Sequence, residues 1–217
     1  MGRKGVVLDL DGTLLDTRED IADAMNRVLA ARGFPVHPYE SYNRFIGDGA
    51  SVLVRRALPA DRRDEGTIAG CLAAFLSDYG EHWDVKTHRY PGIEQMLAGI
   101  AGRGVPMGVL TNKPAATAIK CVDRYFGPDR FMIVQGQRAE IPKKPDPAGA
   151  FLVAERMGVA PANCLYLGDT STDMETAIRA GMFPVGALWG FRPEAELRES
   201  GARALIAEPA DFLPLLV

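Results

Sequence analysis

Two aspartates, Asp9 and Asp11, stand two residues apart in the stretch GVVLDLDGTLL that runs from Gly5 to Leu15. Val6, Val7, Leu8 and Leu10 make the short apolar run of a strand buried on both faces, the kind found inside a parallel sheet. The carboxylates fall where that strand should end, and Gly12 then permits a sharp turn. In an extended chain positions i and i+2 share a side, so both carboxylates can converge on one point beyond the strand. Two carboxylates in one partly buried place call for a cation. Mg²⁺ fits, because it prefers carboxylate oxygens and keeps waters that a phosphate can displace. A strand ending in an Asp-Gly turn accounts for the same residues without chemistry, so the reading depends on what lies downstream.

Three further polar clusters follow in order. Leu110-Thr111-Asn112-Lys113-Pro114 offers a hydroxyl and backbone N–H groups at a helix start, which suit phosphate oxygens or serve as an N-cap. Lys143-Lys144-Pro145-Asp146-Pro147 offers a lysine that can neutralise both a nucleophile and a transferring phosphoryl group, or else a solvated pair. Leu167-Gly168-Asp169-Thr170-Ser171-Thr172-Asp173 can add a metal ligand, although Asp173 can equally start a helix.

The elements around these clusters are α/β. From residue 17 to 87 no strand is predicted. Thr17 to Asp20 resembles a capping box before a helix carrying Ile21, Met25, Val28 and Leu29. Helices then follow around Tyr39–Ile46, through Leu58, and along the stripe Ile68, Cys71, Leu72, Phe75, Leu76 and Tyr79, making a four-helix insert. From Tyr90 onward short apolar runs alternate with helices. The predicted strands are Val105–Leu110, Phe131–Val134, Cys164–Leu167, Pro184–Leu188 and Ala204–Ile206. That alternation predicts a doubly wound parallel sheet with ligands outside the carboxyl ends of its strands. The expected division is a core of residues 1–16 and 88–217 and an inserted cap of residues 17–87, entering beside the aspartate pair as a lid.

Composition narrows the partners. The chain has 217 residues, 47% of them hydrophobic, enough for one domain plus a small insert. Its net charge is −3, its pI is near 5.7 and no Lys/Arg run stands out, which argues against nucleic acid. Cys71, Cys121 and Cys164 are widely spaced without a CxxC pair, so buried reduced thiols are expected rather than zinc or disulfides. The apolar run before Asp9 is too short for a signal peptide, Val6 stands where myristoylation needs Ser or Thr, and no stretch can span a bilayer. A cytoplasmic protein with no membrane partner is expected; the number of subunits is left open.

The four clusters, DLDGT, the Thr of LTNKP, the second Lys of KKPDP and GDTSTD, resemble in order the four motifs of the haloacid dehalogenase superfamily. The resemblance covers nearly the whole chain. It implies a Rossmann-like core with a helical cap inserted after strand one. It further implies Asp9 as nucleophile and Mg²⁺ ligand, and Asp11 as general acid and base lending its backbone carbonyl to the metal. Gly12, Thr111, Asn112 and Lys144 would hold the phosphoryl group, Lys144 rather than Lys143 because it directly precedes the proline. Asp169 would ligate the metal, with Asp173 beside it or acting through water.

Within the superfamily the chain looks most like phosphoglycolate phosphatases. The matching stretches include Ile46-Gly47-Asp48-Gly49, Arg56-Ala57-Leu58, Tyr79 with His82, Tyr90-Pro91-Gly92-Ile93 and Trp189-Gly190-Phe191. Arg89 in place of the usual proline and Gly149 after KPDP depart from that pattern. The resemblance implies a small phosphorylated metabolite as substrate, with Gly47, Asp48, Gly49 and Arg56 of the cap contacting it. Arg44, Arg55 and Arg56 are the arginines there that can read a carboxylate bidentately. A phosphosugar mutase like β-phosphoglucomutase, a pyrophosphatase and an inactive binding module on the same fold are the alternatives. A dehalogenase would leave Asp11 without a role, and a phosphonatase needs a Schiff-base lysine in its cap.

Overall fold

Val6, Val7 and Leu8 are wholly inaccessible to solvent, because β1 (Gly5–Leu8) is an inner strand covered on both faces. The computed structural model describes residues 5–216. Met1 to Lys4, where a leader or a myristoylation signal would be sought, lie outside the described residues. Around β1 a six-stranded parallel sheet is assembled from β4 (Met107–Pro114), β5 (Ile133–Gln137), β6 (Cys164–Gly168), β7 (Phe183–Ala187) and β8 (Ala204–Ile206). Its order is β5-β4-β1-β6-β7-β8, so the chain winds one way from β1 to β5 and the other way from β6 to β8. The order reverses beside β1, and a crevice opens at the carboxyl ends there.

Two apolar clusters cover the faces of this sheet. On one, Val6, Leu8 and Leu165 pack against α5 (Ile93–Ala101) and α6 (Ala115–Phe126). On the other, Val7 and Tyr166 pack against α7 (Ala148–Met157) and α8 (Ser171–Arg179). Each large side chain buried in this way contributes about 1.5–3 kcal/mol, so the strand ends form a stiff platform.

A third cluster belongs to the insert. Ile21, Met25, Leu29, Tyr42, Leu53, Val54 and Phe75 join α1 (Arg18–Ala31), α2 (Tyr39–Phe45), α3 (Ala50–Ala57) and α4 (Glu65–His82). Phe191, from the turn after β7, also packs into it. The chain enters and leaves the insert through a two-stranded antiparallel ribbon, β2 (Leu15–Asp16) with β3 (His88–Arg89). A short α9 (Glu194–Glu199) precedes β8. Cys71, Cys121 and Cys164 are buried and free, and no helix among the described residues is long and apolar enough to cross a membrane.

Two expectations need correction. The Thr17–Asp20 capping box is not formed: Thr17 is the N-cap of α1 but makes no side-chain cap bond. The Asp20 carboxylate instead accepts from the Lys86 and Thr87 N–H groups and the Thr87 hydroxyl. A distant partner outbids the local cap, and Asp20 fastens the start of the insert to its end. β4 also does not stop at Leu110. It runs to Pro114, with its register against β5 shifted between Leu110 and Pro114. Such an irregularity re-aims side chains at a strand end, so Thr111, Asn112 and Lys113 belong to a buried strand rather than to a helix start.

Candidate active site

β1 delivers Asp9, β6 delivers Asp169, and the first turn of α8 delivers Asp173. Ligand atoms of these three carboxylates lie within 4.8 Å of one another, and all three residues are buried. Lys144, from the segment before α7, places its Nζ 2.7 Å from Asp9 Oδ1 and 2.7 Å from Asp173 Oδ1. Lys143 points elsewhere, its ammonium donating to the Asp48 carbonyl from an exposed position.

The surroundings fix each carboxylate. Asp169 accepts from the Thr13 hydroxyl at 2.9 Å on one oxygen and from the Phe191 N–H at 2.8 Å on the other. Gly12 and Gly190 leave room for it. A Cβ on Gly12, whose φ is +89°, would stand 2.3 Å from Asp169 Oδ2, and one on Gly190 would meet the Asp169 Cβ at 2.2 Å. Asp173 completes a capping box with Thr170 through one oxygen and takes Lys144 through the other. Asp173 thus starts α8 and faces Lys144 at the same time.

Charge in this cluster is out of balance. Three buried carboxylates face the single ammonium of Lys144. Burial pushes Asp9 well above the usual carboxylate range, Asp173 and Asp169 push it further, and Lys144 only partly offsets them. Burial, reinforced by Asp173, pushes Asp169 up to about 7. Burial opposes the Lys144 ammonium, yet Asp173 and Asp9 hold its pKa well above the ordinary value. A surplus of two negative charges among hard oxygen donors fits a divalent cation such as Mg²⁺.

Asp11 stands apart from this cluster. Its Oδ1 lies 2.9 Å from the ammonium of Lys113, which also donates to the Tyr79 hydroxyl of α4 at 2.8 Å. Burial opposes the Lys113 charge, but Asp11 and Tyr79 keep its pKa well above the usual lysine value. Lys113 has no role assigned from sequence, because the motif reads as a helix start.

The remaining residues singled out in the sequence divide by position. Thr111 lines the crevice, and its Oγ1 accepts from the Lys113 N–H. The Asn112 carboxamide is occupied on both ends: it donates to the Gly47 and Lys144 carbonyls and accepts from the Lys144 N–H. Asn112 is thus a strut between the Lys144 backbone and the cap loop, and its side chain has little left for a phosphate. A cavity of about 60 Å³ lies between cap and core, walled by Asp9, Asp11, Thr111, Asn112 and Lys113 below. Ile21, Ile46, Gly47, Gly49, Leu53, Phe75 and Tyr79 wall it above. Asp48 and Arg56 are not among its described walls. They pair with each other at 2.6 Å beside a separate open cleft, where Arg44 also lies, and Asp48 accepts from the Thr172 hydroxyl of the core.

With this arrangement in view, the model of the haloacid dehalogenase-like hydrolase family matches residues 6–187. The chain belongs to this family. As a haloacid dehalogenase-like hydrolase it is an enzyme, and similar proteins include phosphatases. A phosphoglycolate phosphatase of Pseudomonas putida is 36% identical over 213 residues, covering 96% of this chain and 78% of that one. A phosphoglycolate phosphatase of Escherichia coli is 31% identical, covering 98% and 92%. A solved protein of Lactobacillus delbrueckii subsp. bulgaricus superposes with a TM-score of 0.94 at 26% identity, covering 100% of this chain and 99% of that one.

Proposed function

We propose that this hydrolase cleaves phosphomonoesters through an aspartyl-phosphate on Asp9, with Mg²⁺ as cofactor and 2-phosphoglycolate as substrate. The observation that carries the reading is the buried cluster of Asp9, Asp169 and Asp173 with one lysine against it, beside a separately held Asp11. The relatives named phosphoglycolate phosphatases support the choice of substrate.

Asp9 and Asp169 would hold the metal with the Asp11 carbonyl, and Asp173, whose oxygens are taken by Lys144 and Thr170, would stand behind them. When bound, the ion neutralises phosphoryl charge and aligns the group for in-line attack. The Asp9 carboxylate forms the new bond to phosphorus while the bond to the leaving oxygen breaks. Asp11 gives that oxygen a proton, then takes one from the water that hydrolyses the acyl phosphate. Lys144 holds Asp9 in place and counters charge on the phosphoryl oxygens. The cap walls keep bulk water from the acyl phosphate.

A panel of phosphoglycolate, hexose phosphates, nucleotides and pyrophosphate compared by kcat/KM with Mg²⁺ and with chelator tests this. Chelator-sensitive turnover with phosphoglycolate preferred is the expected result. Preference for a phosphosugar or pyrophosphate would contradict the substrate, and turnover indifferent to chelator would contradict the cofactor.

A further inference from the structure

A carboxylate carried into this cavity must exchange much of its water for donors from the protein, because the cap contributes mostly Ile21, Ile46, Leu53 and Phe75 to the walls. The cap arginines do not supply them. Arg56 is held by Asp48 and by the Arg44 and Phe45 carbonyls beside the outer cleft, and Arg55 is exposed. Lys144 is spent on Asp9, Asp173 and the Leu110 carbonyl. Among the described residues, Lys113 is the one cation that lines the cavity.

Lys113 is also incompletely used. An ammonium has three N–H donors, and two go to Asp11 and Tyr79. The Tyr79 oxygen accepts from Lys113, so its own proton remains to be donated. The two groups come from opposite sides, Lys113 from β4 of the core and Tyr79 from α4 of the cap, and they meet only across the cavity.

We infer that Lys113 and the Tyr79 hydroxyl form the subsite for the carboxylate of the substrate, and so select a small acidic leaving group over a neutral one. The inference rests on the phosphoglycolate reading and deepens it. It places the specificity determinant on the core strand next to the chemistry, one residue past Asn112, rather than on the arginines of the cap. A larger acid would have to displace Leu53 or Phe75, which the cap core holds buried.

The test compares phosphoglycolate with 2-hydroxyethyl phosphate, which has a neutral hydroxyl end in place of the carboxylate. The ratio of their kcat/KM values cancels any loss that comes only from freeing Asp11. In wild type the ratio should favour phosphoglycolate by about 100-fold or more, as for a site built to bond a polar group. Lys113→Met should lower that ratio by about 100-fold, and Tyr79→Phe, which deletes one oxygen, by about tenfold. Tyr79→Phe carries the test alone if Lys113→Met does not fold. A wild-type preference that persists in both variants, or in Tyr79→Phe alone when Lys113→Met is unfolded, overturns this inference and leaves the phosphoglycolate reading standing. A wild type with no preference overturns both.

Discussion

Replacing Lys144 by methionine removes the one ammonium that faces the buried carboxylates while keeping most of the side chain's bulk. Its Nζ lies 2.7 Å from both Asp9 and Asp173, and the residue is 3% exposed. Removing one partner of a buried charge pair costs about 3–5 kcal/mol, because the remaining charge is left desolvated and unpaired. Loss of a preorganised group facing developing phosphoryl charge lowers turnover by about 10²–10³-fold. Lys143→Met is the matched control. That lysine is exposed and gives one hydrogen bond to the Asp48 carbonyl, worth about 0.5–1.5 kcal/mol, so activity should fall by roughly tenfold at most. Steady-state kcat/KM with a generic aryl phosphate and saturating Mg²⁺, alongside thermal melts without metal, separates the two variants. The metal-free Lys144→Met protein should melt well below the Lys143→Met protein. Equal losses of activity, or a larger loss in Lys143→Met, would refute the assignment.

Two further outcomes follow from the geometry. Gly12→Ala would put a Cβ 2.3 Å from Asp169 Oδ2 at a φ of +89°, so it should cost at least about 100-fold in kcat/KM and weaken Mg²⁺ binding measured by calorimetry; wild-type affinity would contradict the packing. Asp169, raised to about 7 from 3.8, stabilises the metal-free fold below the unfolded value, and that contribution is lost as pH rises through the folded one. Mg²⁺ binds the deprotonated form, so the rise in Tm on adding the ion should be larger at about pH 8 than at about pH 6, and a rise that is equal or reversed would contradict the charge balance drawn for the cluster.

Much of the site is legible in the sequence because each strand-end cluster is punctuated by glycine or proline: Asp9 before Asp11-Gly12, Lys144 before Pro145, Asp169 after Gly168. Short apolar runs alternating with helical stripes give the parallel sheet, since inner strands such as β1 and β6 are buried on both faces. What escapes is whatever depends on a partner far along the chain. Asp20 reads as a cap residue until Lys86 and Thr87 arrive to claim it. That the Asn112 carboxamide bridges the Gly47 and Lys144 carbonyls is equally invisible in the local pattern. Lys113 receives no role from the sequence because no local pattern reveals that it lies against Asp11, or that Tyr79 of α4 meets it from the other side. Nor does it reveal that Arg56 pairs with Asp48 beside the outer cleft.

The covalent step on Asp9 is tested most directly in Asp11→Asn. An aryl phosphate leaves as a stabilised phenolate and needs little protonation, so Asp9 should still be phosphorylated, whereas asparagine cannot activate the hydrolytic water. Loss of general acid–base help is worth about 10²–10⁴-fold, so roughly one equivalent of phenol per site should appear in a burst before turnover stalls. Acid quench and peptide mass spectrometry should then locate a phosphoryl adduct on the peptide containing Asp9. Unimpaired turnover, a stall without an adduct, or an adduct on another peptide would contradict the mechanism.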